Sequence, residues 1–280
     1  MIENGMTKKY AAVHPPLITR LQAEAEKSHK KSPDAIKAVK TKLHMLYGAY
    51  TQNNAHKKAA AIISALEESI QVKKANALEG VACSLATELL ESYGCVAKTL
   101  LSLHASTSER LPHYTEFYDF MLKHTGPVGS VLDVGCGYNP FSIPLIPGDI
   151  PQAYYAYDID TKVAELLNRF FKQFGLPQQA KCADLASFIP QEQADIGLLC
   201  KLLPVLEAQI TGSGFALASG LNVCHLLITY PLKSLGGREK GMAKHYTESF
   251  EAALAEGKLG KFSPVAKDII GDEMLFLLVA

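Results

Sequence analysis

No C-x-x-C pair occurs in this chain, no apolar run approaches the thickness of a bilayer, and acids and bases cancel to a net charge of zero. Each absence removes a class. The six cysteines (Cys83, Cys95, Cys136, Cys182, Cys200, Cys224) are scattered, most of them in apolar runs. That is a reduced, cytoplasmic pattern without a disulfide framework or a zinc site. The nine histidines add no ligand spacing, so no metal is expected. The opening residues MIENGMTKKY hold no apolar segment, and no signal peptide is expected. The late run MLFLLVA (Met274 to Ala280) is too short to span a membrane and reads as a buried strand.

What remains is a chain of 280 residues, 48% of them hydrophobic, long enough for one large domain and a smaller one. The zero net charge hides an asymmetry. Residues 1–75 hold 13 Lys+Arg against 6 Asp+Glu, and the rest of the chain is acidic by the same margin. His14, His29, His44 and His56 lie in the basic part. Such a segment reads either as a docking surface for an anionic partner or as a solvated helical face.

Residues 1–125 read as helices. SPDAIKAVKTKLHMLYGAY opens with Ser32 as a cap and Pro33 at the first helical position. HKKAAAIISALEESIQVKK and ALEGVACSLATELLESY carry helical composition and spacing. After Pro127 the period changes. SVLDVG, AYYAYDID, QAKCADL, ADIGLLC and NVCHLLITYP are strand-like, and helix-length segments such as TKVAELLNRFFKQFG and PVLEAQITGSGFALAS lie between them. Alternating strands and helices predict a doubly wound, largely parallel α/β sheet over residues 126–280. The tail predicts two strands around Gly271-Asp272.

In such a sheet the ligand sits beyond the carboxyl ends of the strands. The first strand–helix turn is VLDVGCGYNP, Val131 to Pro140. Gly135 and Gly137 would let the backbone approach a ligand. A dinucleotide fingerprint needs a third glycine, where this chain has Pro140. Asp133, just before the glycines, would repel a pyrophosphate and suits an ammonium group or bound water. D-x-G-x-G is the pattern of class I S-adenosylmethionine-dependent methyltransferases, which this chain resembles. The second strand ends in Asp158-Ile159, placed to meet two vicinal ribose hydroxyls. The third ends in Asp184-Leu185, an acceptor for an adenine amino group and an apolar cover for its ring. Leu198, Leu199 and Cys200 would complete the apolar wall. Taken one at a time, the glycines could be a tight turn, and Asp158, Asp160 or Asp184 a helix cap.

HASTSERLPHYTEFY (His104 to Tyr118), YPLKSLGGREKGM (Tyr230 to Met242), LDVGCGYNP and CKLLPVLE together resemble the aminoglycoside-resistance 16S rRNA (guanine-N(7)) methyltransferases of the Arm/Rmt type. The resemblance covers most of the chain. It implies S-adenosylmethionine as cofactor, S-adenosylhomocysteine as product, and 16S rRNA in the 30S subunit as partner, for a cytoplasmic monomer. It implies that Arg110 pairs with the methionine carboxylate; the acids Glu109 and Glu116 do not stand at the spacing of a surface helix pair with it. It places Lys201 near the substrate entrance and Lys233, Arg238 and Lys240 on RNA phosphates. Arg20, Lys57 and Lys58 join them as RNA contacts from the helical region. Several members of that family have a basic residue where this chain has Ser108. Guanine N7 carries a lone pair and no proton. The chemistry is then positioning, with no general base, which fits the lack of a Ser/His/Asp or Cys/His constellation. Three other readings stand beside this one: a small-molecule methyltransferase with a helical lid, a non-catalytic RNA-binding protein, and a nicotinamide dehydrogenase.

Overall fold

A computed structural model describes residues 10–29, 32–50, 54–76, 93–233 and 241–280. The helical half comprises α1 (Pro15–Ser28), α2 (Ser32–Leu43), α3 (Ala55–Asn76), α4 (residues 93–101), α5 (Ala105–Arg110) and α6 (Tyr114–Thr125). Strands β1 (Ser130–Val134), β2 (Ala153–Asp158), β3 (Ala180–Cys182), β4 (Gln193–Cys200), β5 (Asn222–Pro231), β6 (Ser263–Ile270) and β7 (Glu273–Val279) form one sheet in the order β3-β2-β1-β4-β5-β7-β6. The first five run parallel, and β7 is antiparallel to both its neighbours. The strand order reverses between β1 and β4. The carboxyl ends at that reversal are the place where a doubly wound sheet takes a ligand.

The local reasons are ordinary. Helix α7 (Thr161–Gln173) buries Val163, Leu166, Leu167, Phe170 and Phe171, a stripe at three- and four-residue spacing. Asp160 caps it, with Oδ1 accepting from the backbone N–H of Lys162 at 2.8 Å and Val163 at 3.2 Å. The cap among the three acids is therefore Asp160. The segment PVLEAQITGSGFALAS departs from its expected single helix. It forms α8 (Leu203–Glu207) and α9 (Ser213–Gly220), because Gly212 adopts φ 85° between them. The tail forms the expected pair β6 and β7, and α10 (Met242–Ala255) precedes it.

The change of pattern near residue 125 is a boundary of composition that the hydrophobic core crosses. Ala59 and Ile63 of α3, Leu100 of α4 and Phe117 and Met121 of α6 share one buried cluster with Val131, Ile196, Leu227 and Leu277 of the sheet. A second cluster on the opposite face joins α9 and α10 to the sheet through Leu217, Phe250 and Phe276. Helices α1 and α2 have a small core of their own, built from Leu17, Leu21, Val39 and Leu43. This outer pair is tied to the sheet by a backbone strap. His14 N–H donates to the Ile159 carbonyl at 2.7 Å, and Thr161 N–H donates to the Ala12 carbonyl at 2.8 Å. No helix among the described residues is long and apolar enough to cross a membrane.

Candidate functional site

A cleft opens where the topology predicts it, at the carboxyl ends of β1, β2, β3 and β4. Gly135, Gly137, Asp158, Ile159, Asp184, Leu185 and Lys201 all line it. The glycine turn is specified from beneath as well as from above. Gly135 has φ 67° and Gly137 φ 49°. A Cβ at Gly135 would meet Leu202 Cδ1 at 2.6 Å, and one at Gly137 would meet His104 Cε1 at 3.0 Å. Both conformation and space require glycine there.

Asp158 holds this turn. Its Oδ2 accepts from the Gly137 N–H at 2.8 Å and its Oδ1 from the Asp160 N–H at 3.0 Å. Burial, reinforced by the neighbouring Asp160, pushes its carboxyl up to about 6. Asp133 lies behind the turn, fully buried. Its Oδ2 accepts from Asn139 Nδ2 and from the Tyr154 hydroxyl, both at 2.8 Å, while Oδ1 has no partner among the described residues. Burial raises this carboxyl to about 6 as well. A buried carboxylate oxygen left over in this way beneath the turn fits the amine or ordered water expected for it.

Like Asp133, two further expected cofactor contacts do not line the cleft. Leu199 is fully buried in the cluster on the far face of the sheet. Side chains alternate along a strand, so Leu199 points away and Cys200 lines the cleft. Arg110 is buried one layer behind the lining. Its Nε and Nη2 donate to Glu273 Oε1 and Oε2 at 3.0 and 2.7 Å, and its Nη1 donates to Asn139 Oδ1 at 3.0 Å. Three of the five guanidinium N–H groups are thereby engaged within the protein. Burial alone would raise the Glu273 carboxyl, but Arg110 and Lys201 outweigh it and hold it below the usual range. Sequence reasoning missed Glu273. The signal was there: one acid opens the otherwise apolar strand EMLFLLV.

Lys201 stands at the end of β4 with φ 56°, a left-handed conformation rare for a lysine. Two bonds fix it, from its N–H to the Thr229 carbonyl at 3.0 Å and to Thr229 Oγ1 at 3.1 Å. Its buried Nζ lies 2.6 Å from Glu109 Oε2 and 3.3 Å from Glu273 Oε1. An ordered cation thus faces the cleft beside an acid cluster, on backbone held in a costly conformation.

The helical half supplies a wall that sequence reasoning missed. Helix α2 runs into a π-turn, His44–Gly48, and Leu46, Tyr47, Tyr50 and His56 line the cleft. Such turns recur at functional sites. The Tyr50, His104 and Tyr138 rings stack in sequence, with centroids 6.2 and 5.5 Å apart. Burial lowers His104 to about 4, so its ring is neutral near pH 7. His56 Nε2 lies 2.7 Å from Asp160 Oδ2 without hydrogen-bond alignment.

The expected RNA contacts divide. Lys57 and Lys58 are exposed on α3. Lys233 is exposed and pairs with Asp272 at 2.8 Å. Arg238 and Lys240 lie outside the described residues. Arg20 is engaged inside the protein: its Nε and Nη2 grip both oxygens of Asp184, at 2.6 and 3.1 Å. A guanidinium clamped on a buried carboxylate is not presented to a phosphate, so Arg20 leaves the expected RNA set.

Residues 6–263 match the family model described as "Ribosomal RNA methyltransferase (FmrO)". The chain is 32% identical over 272 residues to a 16S rRNA (guanine(1405)-N(7))-methyltransferase of Serratia marcescens, covering 97% of this chain and 94% of the relative. It is 30% identical over 280 residues to one of the same name from Micromonospora echinospora, covering 99% and 95%. The crystal structure of the 16S rRNA methyltransferase RmtF in complex with S-adenosyl-L-homocysteine superposes with a TM-score of 0.79 at 31% identity, covering 99% of this chain and 96% of that one. The 16S rRNA methylase RmtB gives 0.74 at 28% identity, covering 98% and 93%.

Proposed function

Because the chain belongs to the ribosomal RNA methyltransferase (FmrO) family, we propose that it methylates N7 of a guanine in the aminoglycoside-binding, decoding-site region of 16S rRNA within the 30S subunit. The sheet and its order are the class I methyltransferase fold, with a helical N-terminal extension. The position equivalent to guanine 1405, named for the relatives, is the target this reading assigns. The full-length match to 16S rRNA (guanine-N(7)) methyltransferases supports the target, and the observation that carries the cofactor is the row of three acids, Asp133, Asp158 and Asp184, at or behind three successive strand ends around a glycine turn.

The residues present fit S-adenosylmethionine. Asp158 would accept from the ribose hydroxyls, and Asp184 from the adenine amino group, with Ile159 and Leu185 against the ring. Asp133, buried behind the turn, would act on the amine through the turn or through an ordered water at its Oδ1. The N–H groups of Arg110 not held by Glu273 and Asn139 would be left for the methionine carboxylate. When bound, the cofactor supplies an electrophilic methyl group, which passes to the guanine N7 lone pair and leaves S-adenosylhomocysteine. The protein's part is alignment and exclusion of water. No proton has to leave N7, so no general base is required. Lys201 and the acids Glu109 and Glu273 set a fixed electrostatic surround at the mouth, where the purine gains positive charge.

Exposed Lys57 and Lys58, with Lys233, Arg238 and Lys240, are assigned to phosphate contacts that position the enzyme on folded RNA. Methylation adds bulk and positive charge at the drug-contact edge and would repel polycationic aminoglycosides. The test is transfer of labelled methyl from S-adenosylmethionine to 30S subunits, stripped 16S rRNA and a metabolite extract. Label on 30S, mapped to guanine N7, is the expected result. Label confined to small molecules would overturn the rRNA assignment and recast the helical half as a lid.

A further inference from the structure

From behind the cleft wall, helix α1 contributes one side chain, Arg20, and that side chain holds the acid assigned to adenine. Arg20 Nε donates to Asp184 Oδ2 at 2.6 Å and Nη2 donates to Asp184 Oδ1 at 3.1 Å. Nη2 also donates to Gln209 Oε1 at 2.7 Å. Asp184 and Gln209 line the cleft; Arg20 stands behind them. The pair is well sheltered, with side-chain exposures of 17% and 6%. On its outer side Arg20 Nη1 meets Glu24 Oε1 at 2.8 Å, and Lys42 of α2 meets Glu24 Oε2 at 2.8 Å. A continuous chain of alternating charge therefore runs from α2 through α1 to the adenine end of the cleft.

A carboxylate oxygen has two acceptor sites. Asp184 Oδ1 accepts from Arg20 and, at 3.3 Å, from the Ala186 N–H. Oδ2 accepts from Arg20 alone among the described residues. The fork of the guanidinium fixes the plane of the carboxylate and keeps it an acceptor, leaving one site on Oδ2. An acceptor held this way receives an amino group and repels a carbonyl oxygen.

We propose that Arg20 is a positioning residue for purine selectivity: acting through Asp184, it makes the cleft accept a 6-amino purine and reject a 6-oxo purine. The proposal rests on the reading of the cleft as a cofactor site. It also ties helix α1 to occupancy, because the same carboxylate is shared between Arg20 and the bound purine.

The experiment is titration calorimetry of the full chain with S-adenosylhomocysteine and with its 6-oxo analogue, S-inosylhomocysteine. Hydrogen exchange of α1 is followed with and without the first ligand. Wild-type protein should prefer the adenosyl ligand, and Arg20→Ala should cut that preference by about tenfold, the scale of one charge-assisted hydrogen bond. Arg20→Lys, which keeps the charge and loses the fork, should fall between. In the Asp184→Asn background, Arg20→Ala should leave the ratio unchanged, since the group it acts through is gone. Exchange in α1 should slow on ligand binding. A general loosening would weaken both ligands equally and leave the ratio intact. That outcome, or wild-type affinities in Arg20→Lys and Arg20→Ala alike, overturns the proposal. A wild-type protein that binds neither ligand overturns the cofactor reading itself, and this inference with it.

Discussion

Glu273 shows how much one side chain can organise. It opens β7, beyond the hairpin at Gly271-Asp272, and it gathers Arg110, Thr229 and Lys201 around one buried carboxylate. Removing a single partner from such a group leaves an uncompensated charge in a dry place. Glu273→Gln should therefore destabilise the fold by roughly 3 kcal/mol in urea denaturation, the cost of breaking a buried pair. The guanidinium of Arg110 would stay buried without its counter-ion. A loss well under 1 kcal/mol would mean that water reaches the pair in solution. Asp158 makes a different prediction at the same scale. Asp158→Asn keeps the shape but halves the acceptor capacity, and one oxygen must still serve the Gly137 N–H. Binding of S-adenosylhomocysteine should weaken at least tenfold by calorimetry. Unchanged affinity would take the ribose contact away from this residue.

At the scale of elements, the sheet was legible because its strands are short β-rich runs separated by helical period. Asp158 and Asp184 could be placed at the cleft, and Asp133 behind its glycine turn, because strand ends are where doubly wound sheets bind. What escaped was set by long-range packing. Leu198, Leu199 and Cys200 were all expected in the wall of the cleft, and of the three only Cys200 lines it, the alternation along β4 turning Leu199 to the other face. Arg20 looks like a free cation in the sequence because nothing there places it beside a residue 164 positions later. The wall from Leu46, Tyr47 and Tyr50 was invisible for the same reason: a π-turn after α2 presents it. Helix α3 has an inner face in the main core and leaves Lys57 and Lys58 exposed on the other. Lys57→Glu with Lys58→Glu should weaken 30S binding and reduce the salt slope of that binding by about one unit for each phosphate no longer neutralised. Cofactor affinity should not move. A slope equal to wild type would place the RNA on another face.

The whole molecule carries opposing titrations, and they decide which measurement is informative. Asp133 and Asp158 are raised to about 6 by burial. Carboxyls raised on folding stabilise the protein below their unfolded value, about 4, and that contribution is lost as pH rises through 6. His104 works against them in the same window. Burial lowers it to about 4, so its contribution is complete above its unfolded value of about 6.5 and is lost as pH falls toward 4. Melting temperature between pH 5 and 7 therefore mixes two signs. Ligand affinity does not, because His104 stays neutral in the folded protein throughout that range. Ribose hydroxyls and a protonated amine both favour the ionised carboxylates, against burial and, at Asp158, against Asp160. Affinity for S-adenosylhomocysteine should thus rise with pH and level off above about 7. At about pH 5 it should be roughly tenfold weaker for each carboxyl that must ionise, the ratio a pKa near 6 dictates. Protons should be released on binding at the acid end, as calorimetry in buffers of different ionisation enthalpy would register. An affinity that stays flat from pH 5 to 7 would mean both carboxyls are already ionised in the empty cleft. The amide at Gly137 and the donors at Asn139 and Tyr154 would then outweigh burial.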